Sequence, residues 1–239
     1  MFKVMESKRI TKSNAIVNAS YRFSLNELRI LLYGLSHIDP RADDFPMFHR
    51  VRVKDLADFY DIGEKDRGSF YDNIKEALIT KFWNREFSYY DEDRDEVVKR
   101  MFLIEVAHGR KDGTLAYEYN PKIKKELQKL SKRFTSYFLT NVAGMKSAYA
   151  VRIYEIAVMC LNASKKPKTT FNRTVEDLKH TLGISDKYKN FFDMKKRVLE
   201  AAKRDINKHS DIRISYTVVK LGRSPHEIEF TVSRKPKLK

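Results

Sequence analysis

A single cysteine, Cys160, stands in a chain of 239 residues. That excludes a disulfide framework and any metal site built on cysteines within the chain. Cys160 sits in the apolar run Ile156-Ala157-Val158-Met159-Cys160-Leu161, where a small core residue is the expectation rather than a catalytic thiol. The N-terminus (MFKVMESKRITKSN) carries no apolar signal core, and no run reaches the ~18 apolar residues that a membrane-spanning helix needs. A reducing cytoplasm is the expected location, with no membrane partner. The phosphate loop G-x-x-x-x-G-K-[ST] is missing, which argues against an ATPase. Gly109-Arg110-Lys111-Asp112-Gly113-Thr114 resembles a phosphate cradle only superficially, because it falls inside a hairpin and lacks the Gly-Lys-Ser/Thr end. His37, His49, His108, His180, His209 and His226 are scattered, with no His-x-His or His-x-x-x-His pair for a metal. A nicking replication enzyme needs such a pair beside a nucleophilic tyrosine. The 13 tyrosines fall mostly in strands or on apolar faces and read as packing. No metal, no cofactor, no catalytic residue and no enzymatic activity are expected. The acidic run 91–96 reads as a charged turn at a sheet edge rather than a metal site.

Acidic residues are outnumbered by basic ones. Lys and Arg number 48 against 32 Asp and Glu, a net charge of +16 and a pI near 9.7. Such an excess raises affinity for polyanions and is silent about fold. Hydrophobic residues at 42% and aromatics at 12% are enough for a real core, so a disordered basic protein is not expected. The basic residues lie on segments that also bury apolar faces, which favours nucleic acid over a membrane surface as the partner.

One pattern occurs twice. Val53–Gly63 (VKDLADFYDIG) and Thr174–Gly183 (TVEDLKHTLG) each read as a short helix ending in glycine. A turn and a longer amphipathic helix follow each: Ser69–Phe82 in the first copy, Asn190–Lys208 in the second. Strands and a glycine hairpin follow those. The hairpins align as Gly109-Arg110-x4-Leu115-x-Tyr117-x-Tyr119 and Gly222-Arg223-x4-Ile228-x-Phe230-x-Val232. Helix, turn, helix, then β-hairpin is the order of a winged helix. The expected fold is α+β, mainly helical: two tandem winged-helix domains, at 1–130 and 131–239, meeting near 131–136 where no Gly/Pro linker intervenes. Two such domains on so basic a chain point to double-stranded DNA.

Several boundaries are predicted from local signals. Residues 1–20 read as a loose basic arm. Ser24-Leu25-Asn26-Glu27 is a capping box opening a helix that carries Leu25, Leu28, Leu31, Leu32, Leu35 and Ile38 and ends at Asp39-Pro40. Residues 41–50 read as a loop before a helix over Val51–Tyr60. Strands are predicted at Arg85–Tyr90, Val97–Ala107 and Leu115–Tyr119, with Asp112-Gly113 as a hairpin turn. Asn120-Pro121 starts a basic helix through Arg133, and Ser147–Asn162 forms an apolar helix. A basic loop at Ser164–Lys168 follows. The closing hairpin pairs Ile212–Val219 with Glu227–Val232 through a turn at Lys220–Pro225, ahead of a basic tail.

The second long helix is the predicted reader of bases. Phe191, Met194, Val198, Ala202 and Ile206 share its buried face, while Asp193, Lys196, Glu200, Lys203 and Asn207 point outward and Asn190, Arg197 and Arg204 line a flank. Arg and Lys read guanine, Asn reads adenine, and Asp accepts from cytosine. The N-terminal half of a recognition helix enters the major groove deepest. Asn190, Asp193, Lys196 and Arg197 are therefore predicted to contact bases, with Lys189, Lys203 and Arg204 nearer phosphates. The bland alternative is a solvated face with helical ion pairs such as Glu200 with Lys203 or Arg204. In the first copy Ser69, Asn73 and Lys75 are the predicted DNA contacts. Asp72 and Glu76 face phosphates unfavourably there, so that domain is expected to add backbone contacts or a protein interface. Lys220 and Arg223 on the second wing are predicted to meet phosphate or the minor groove. The basic run 122–133 reads mainly as a solvated face.

Several stretches resemble the replication initiator proteins of theta-replicating, iteron-carrying plasmids. They are Lys12-Ser13-Asn14-x-Ile16-Val17, Lys146-Ser147-x-Tyr149-Ala150-Val151-Arg152-Ile153-Tyr154-Glu155, and Val175-x-Asp177-Leu178-x4-Leu182-Gly183. The last is followed by Phe192-x2-Lys195-Lys196-Arg197-Val198-Leu199-x-Ala201-x3-Asp205-Ile206-Asn207 and by the wing Lys220-x-Gly222-Arg223. The resemblance covers nearly the whole chain. It implies that the second domain reads a repeated origin sequence and that the first contributes backbone contacts and homodimerisation. It further implies origin opening with a host initiator, recruitment of host helicase and chaperones, self-repression by dimers, and a bacterial cytoplasm or nucleoid. Two other readings remain open: a transcription repressor with the same fold and no replication role, and a replication nuclease or relaxase.

Overall fold

The stretch at 9–20, expected to be a loose arm, is built into the core. In the computed structural model, which describes residues 8–42, 46–91, 94–109, 113–128, 130 and 133–236, strand β1 (Arg9–Ser13) leads into helix α1 (Asn14–Asn18). Ile10, Ile16 and Val17 are fully buried, and the Ile16 amide donates to the Ser13 hydroxyl at 3.2 Å to cap α1. A few well-spaced apolar residues outweigh the polar composition that suggested an arm.

Helix α2 (Leu25–Leu35) starts at the predicted capping box. The Glu27 amide donates to the Ser24 hydroxyl at 3.2 Å and the Ser24 amide to the Glu27 carboxylate at 2.5 Å. It ends one turn before Asp39-Pro40. Strand β2 (Phe48–Arg52) and helix α3 (Val53–Phe59) follow. Helix α4 (Arg67–Glu76) then runs on through a π-helical turn (Ala77–Lys81) and a 3₁₀ turn (Phe82–Asn84). Strands β3 (Glu86–Asp91) and β4 (Glu96–Met101) form one antiparallel pair. Strands β5 (Leu103–His108) and β6 (Thr114–Tyr119) form another, and β2 adds to β6 to give a three-stranded sheet in the order β2-β6-β5. This is a winged helix with an inserted hairpin.

Two strand predictions need correction. Residues 48–52 are a strand, not loop and helix start, because they pair with β6 while keeping a polar sequence of only five residues. The run 97–107 is not continuous. It breaks at Phe102, whose ring is buried among Tyr21, Phe23 and Phe87 at centroid distances of 5.4, 5.0 and 4.3 Å. Burying that ring turns the chain between β4 and β5. Asp112 and residues 92–93 of the acidic turn lie outside the described residues; Gly113 has φ +63°, as a hairpin turn requires.

Helix α2 is held to this sheet by tyrosines. The Tyr117 and Tyr119 hydroxyls donate to the Ile30 and Leu31 carbonyls at 3.2 and 3.3 Å. Only glycine fits at position 34, where a Cβ would lie 2.0 Å from the Tyr117 hydroxyl oxygen. His49 stacks on Tyr117 at 5.5 Å in the same layer, and its Nε2 is buried without a partner. Burial pushes the imidazole pKa from 6.5 down to about 4, against a backbone hydrogen bond to Pro46 that pulls the other way. A depressed imidazole pKa stabilises the fold fully above 6.5, and that stability is lost as pH falls towards 4. The interval corresponds to about 3 kcal/mol at ~1.36 kcal/mol per pH unit. Denaturant melts between pH 7 and 4 should show this loss in the wild type and a smaller one in His49→Phe.

After β6 the predicted basic helix does not form. Asn120 does cap as expected, accepting from the Lys122 amide at 3.0 Å, but only a 3₁₀ segment (Pro121–Glu126) follows. Ile123, Glu126 and Leu127 are drawn into the core, and Leu127 leaves helical geometry at φ −123°. Lys129 and Lys132 lie outside the described residues.

Strand β7 (Phe134–Phe138) returns to pair antiparallel with β1. Helices α5 (Thr140–Ala143) and α6 (Ala148–Ser164) precede strand β8 (Lys168–Thr174) and helix α7 (Val175–Thr181). The long helix is α8 (Phe191–Met194), a π-helical turn (Lys195–Glu200) and α9 (Ala201–His209). Strands β9 (Ile212–Leu221) and β10 (Ser224–Arg234) complete a three-stranded sheet, β8-β10-β9. The order helix, strand, helix, long helix with a π turn, two strands is thus repeated. As in the first unit, the opening strand β8 went unpredicted. Cys160 is partly buried against the core. Among the described residues no helix is long and apolar enough to cross a membrane.

The units meet through buried polar groups. Lys12 and Glu155 form an ion pair at 1% and 0% exposure. Arg152 donates to Glu155 at 3.1 Å and to the Ala19 carbonyl at 2.8 Å, and its guanidinium lies 3.7 Å from the Tyr21 ring centroid. The Tyr137 hydroxyl donates to Glu155 at 2.5 Å. Gly183, at φ +63°, sits so close that a Cβ would be 2.8 Å from the Tyr21 backbone.

Candidate nucleic-acid interface

The second helix-turn-helix is shaped by its caps. The Asp177 amide donates to the Thr174 hydroxyl at 3.0 Å, starting α7, and Gly183 ends the helix in left-handed geometry before Ile184 anchors the turn in the core. The Phe192 amide donates to the Asn190 side-chain oxygen at 2.8 Å, so Asn190 is the N-cap of the long helix rather than part of its flank. Its side-chain oxygen is committed there, and only its amide group remains to meet a base.

The long helix passes through a π turn at Lys195–Glu200 and keeps its predicted buried face, Met194, Val198, Ala202 and Ile206. Lys195, Lys196 and Arg197 are all exposed in succession before Val198 and Leu199 return to the core. Lys189, Asp193, Lys196 and Arg197 are exposed as predicted, and so is Arg204. Glu200, Lys203 and Asn207 are not on the open face: they turn towards β9. The Tyr216 hydroxyl donates to Glu200 at 2.5 Å, and the Lys203 ammonium lies 5.9 Å from the Tyr216 ring centroid. Asn207 brackets Ile214, donating to its carbonyl at 3.0 Å and accepting from its amide at 2.7 Å. These bonds hold the wing strands to the helix. Burial, aided by the Glu200 charge, pushes the Tyr216 phenol pKa up, so it stays a donor.

At the wing tip Lys220 and Arg223 are exposed as predicted, but the turn is tighter than the sequence suggested. Only Gly222 and Arg223 separate the strands, with Gly222 at φ +61° in the first turn position. A groove with Lys179 and Ser185 on one side and Pro225 and His226 on the other places the wing beside the helix-turn-helix.

The first helix-turn-helix differs in its electrostatics. Ser69 and Asn73 are exposed and Lys75 half-buried. The Ser69 hydroxyl already donates to the Asp66 carbonyl at 3.0 Å. Neighbouring cations are tied to acids: Arg67 to Asp58 at 2.5 Å, Lys81 to Glu76 at 2.7 Å, Arg52 to Asp55 at 2.9 Å. Among the described residues no ion pair ties Lys189, Lys195, Lys196, Arg197, Arg204, Lys220 or Arg223. The second helix-turn-helix and its wing therefore present a run of unpaired cations, whereas in the first Arg52, Arg67 and Lys81 are paired and, among the described residues, Lys54, Lys65 and Lys75 are not.

Two surface residues of the long helix escaped the sequence reading, Lys195 and Phe192. A signal existed for Lys195, in three consecutive cations at 195–197. Phe191 is half-buried and Phe192 is 66% exposed. Among the described residues no group of three His, Cys, Asp or Glu side chains converges to hold a metal.

Comparison with known proteins agrees with this architecture. Residues 9–158 match the family described as initiator replication protein, WH1, and residues 174–232 match initiator Rep protein, WH2. A replication initiation protein of Escherichia coli is 28% identical over 225 residues, covering 93% of this chain and 69% of its own. An uncharacterized 27.6 kDa protein of Escherichia coli is 22% identical over 232 residues, covering 93% of this chain and 95% of its own. A crystal structure of Pi initiator protein in complex with iteron DNA superposes with a TM-score of 0.78 at 21% identity, over 97% of this chain and 99% of that one.

Proposed function

Because the chain belongs to the initiator replication protein family, with its WH1 and WH2 parts in order, we propose that it initiates plasmid replication by binding repeated origin sequences in double-stranded DNA. The observation that carries this reading is the free cationic surface of the second helix-turn-helix and its wing, from Lys189 to Arg204 and at Lys220 and Arg223. Helix and wing enter the major and minor grooves in this fold, where Arg and Lys read guanine and contact phosphate. The first unit, where Arg52, Arg67 and Lys81 are paired to acids, contributes backbone contacts and the surface for homodimerisation. The protein acts without catalysis. It opens the origin with a host initiator, recruits host helicase and chaperones, and as a dimer represses its own gene. The structure named as Pi initiator bound to iteron DNA supports the choice of target.

Selection from random duplex DNA at near-physiological salt tests the reading. One motif of roughly 20 bp, two helical turns, is expected from two winged helices on adjacent grooves. A plasmid carrying that motif in repeat should replicate only when the protein is supplied, which separates an initiator from a repressor. Supercoiled DNA should stay intact with and without divalent metal; nicking would indicate a nuclease instead. Within the motif, Arg197→Ala is expected to relax preference at one base pair and cost about 1–3 kcal/mol. A uniform loss on all sequences would reassign Arg197 to phosphate.

A further inference from the structure

Large apolar side chains on the surface of the second unit are few and concentrated. Among the described residues of 174–232 those exposed are Phe192, Val219 and Leu221, at 66%, 41% and 70%. Val219 and Leu221 are at the wing tip and Phe192 is in the first turn of the long helix. These are the two elements that enter DNA grooves in a winged helix. Elsewhere in the unit the large apolar residues are covered, as a soluble surface favours.

We propose that Phe192 reads thymine through its C5-methyl group. The inference rests on the DNA-binding reading above. In the major groove a thymine differs from uracil by that methyl alone, and from cytosine by the methyl together with the group at C4, and an apolar side chain is what recognises the methyl. Phe192 has the right position: one helical turn before Lys195 and Lys196, two residues after the cap Asn190, in the part of the helix that enters deepest. Its backbone amide is fixed by Asn190 at 2.8 Å, so the first turn that carries the ring is held before DNA arrives. Its exposed neighbours Lys189, Lys195, Lys196 and Arg197 outnumber the one acid beside it, Asp193, and keep the surroundings cationic, which suits a nucleic acid and not an apolar protein surface or a second copy of this chain. The ring costs exposure in the free protein and recovers it in the groove, where the methyl is buried against it.

The test uses the full chain and duplexes of the selected motif in which thymines are replaced one at a time by deoxyuridine. Loss of one buried methyl corresponds to roughly fourfold in affinity. The wild type is expected to show that loss at one or two thymines in the half read by the second unit. Phe192→Ala is expected to bind the thymine duplex more weakly and to treat thymine and uracil alike at those positions, while Phe192→Leu keeps part of the discrimination. An unchanged thermal melt is expected, since the side chain is outside the core. Full thymine-uracil discrimination by Phe192→Ala overturns the proposal, as does a wild type indifferent to uracil everywhere, or a motif with no required thymine in that half. A wild type that selects no motif at all overturns the DNA-binding reading itself, a distinct outcome.

Discussion

Replacing Glu155 by leucine is expected to destabilise the protein by about 3–5 kcal/mol, the cost of breaking a buried ion network from one side. The carboxylate is the only acid in a cluster with two cations, Lys12 and Arg152, all at 3% exposure or less. Removing it leaves two buried positive charges facing each other. Arg152 keeps the Ala19 carbonyl and the Tyr21 ring, but Lys12 loses its partner. Burial already pushes the Lys12 pKa down, with Glu155 opposing, so without Glu155 the lysine is driven to give up its proton. That escape limits the loss. For Glu155, burial pushes the pKa up, but the charges of Lys12 and Arg152 outweigh it and hold the carboxyl below its usual 4.5. A lowered carboxyl pKa means stability that is fully present above 4.5 and lost as pH falls through the folded value. The gap between wild type and variant, measured by urea midpoints, should therefore be wide at neutral pH and narrow in acid. Lys12→Met with Arg152→Met and Glu155→Leu should recover much of the loss, because apolar residues of similar volume do not need the pairing. A single variant costing under ~1 kcal/mol would mean that water reaches the cluster and supports the charges.

That network also marks where sequence reading stops. Ser24 and Glu27 and the glycines at 183 and 222 speak within three residues of their partners, and each was legible. The two helix-turn-helix units were legible because local caps and helical spacing define them, and repetition made them more so. Lys12 and Glu155 are 143 residues apart. Nothing near Lys12 indicates a buried charge, which is why the N-terminal segment read as an arm. The opening strands β2 and β8 are short and polar, and only pairing with β6 and β10 reveals them. The lysine-rich stretch after Pro121 failed in the other direction. Its helix-favouring residues gave way to the burial of Ile123 and Leu127. Within the candidate site, the outward face was right up to Arg197 and wrong beyond it at Glu200, Lys203 and Asn207. The buried face kept the helical period through Val198, Ala202 and Ile206; what that period cannot anticipate is β9, whose Ile214 and Tyr216 pack against the flank carrying Glu200 and Asn207.

Raising salt from 50 to 200 mM is expected to weaken DNA binding by about 10³–10⁵, as for a footprint of roughly 6–10 phosphates. Net charge alone, +16, does not make that prediction. Cations already paired to acids release few counterions, so the arrangement of charge decides the slope. In the first unit Arg67 and Lys81 are held by Asp58 and Glu76, whereas in the second Lys195, Lys196, Lys220 and Arg223 have no acidic partner among the described residues. Alanine at a phosphate-contacting lysine lowers the slope of log affinity against log salt by about 0.9. Lys195→Ala and Lys220→Ala should each show that change, and Arg67→Ala should leave the slope where it was. Equal changes in both units would place the two surfaces on the backbone alike, and a flat wild-type dependence would count against DNA as the partner. A base-reading residue behaves differently again: Phe192→Ala should alter affinity without touching the slope, because an apolar contact displaces no ions. The salt slope thus separates the groups that hold the duplex from those that read it.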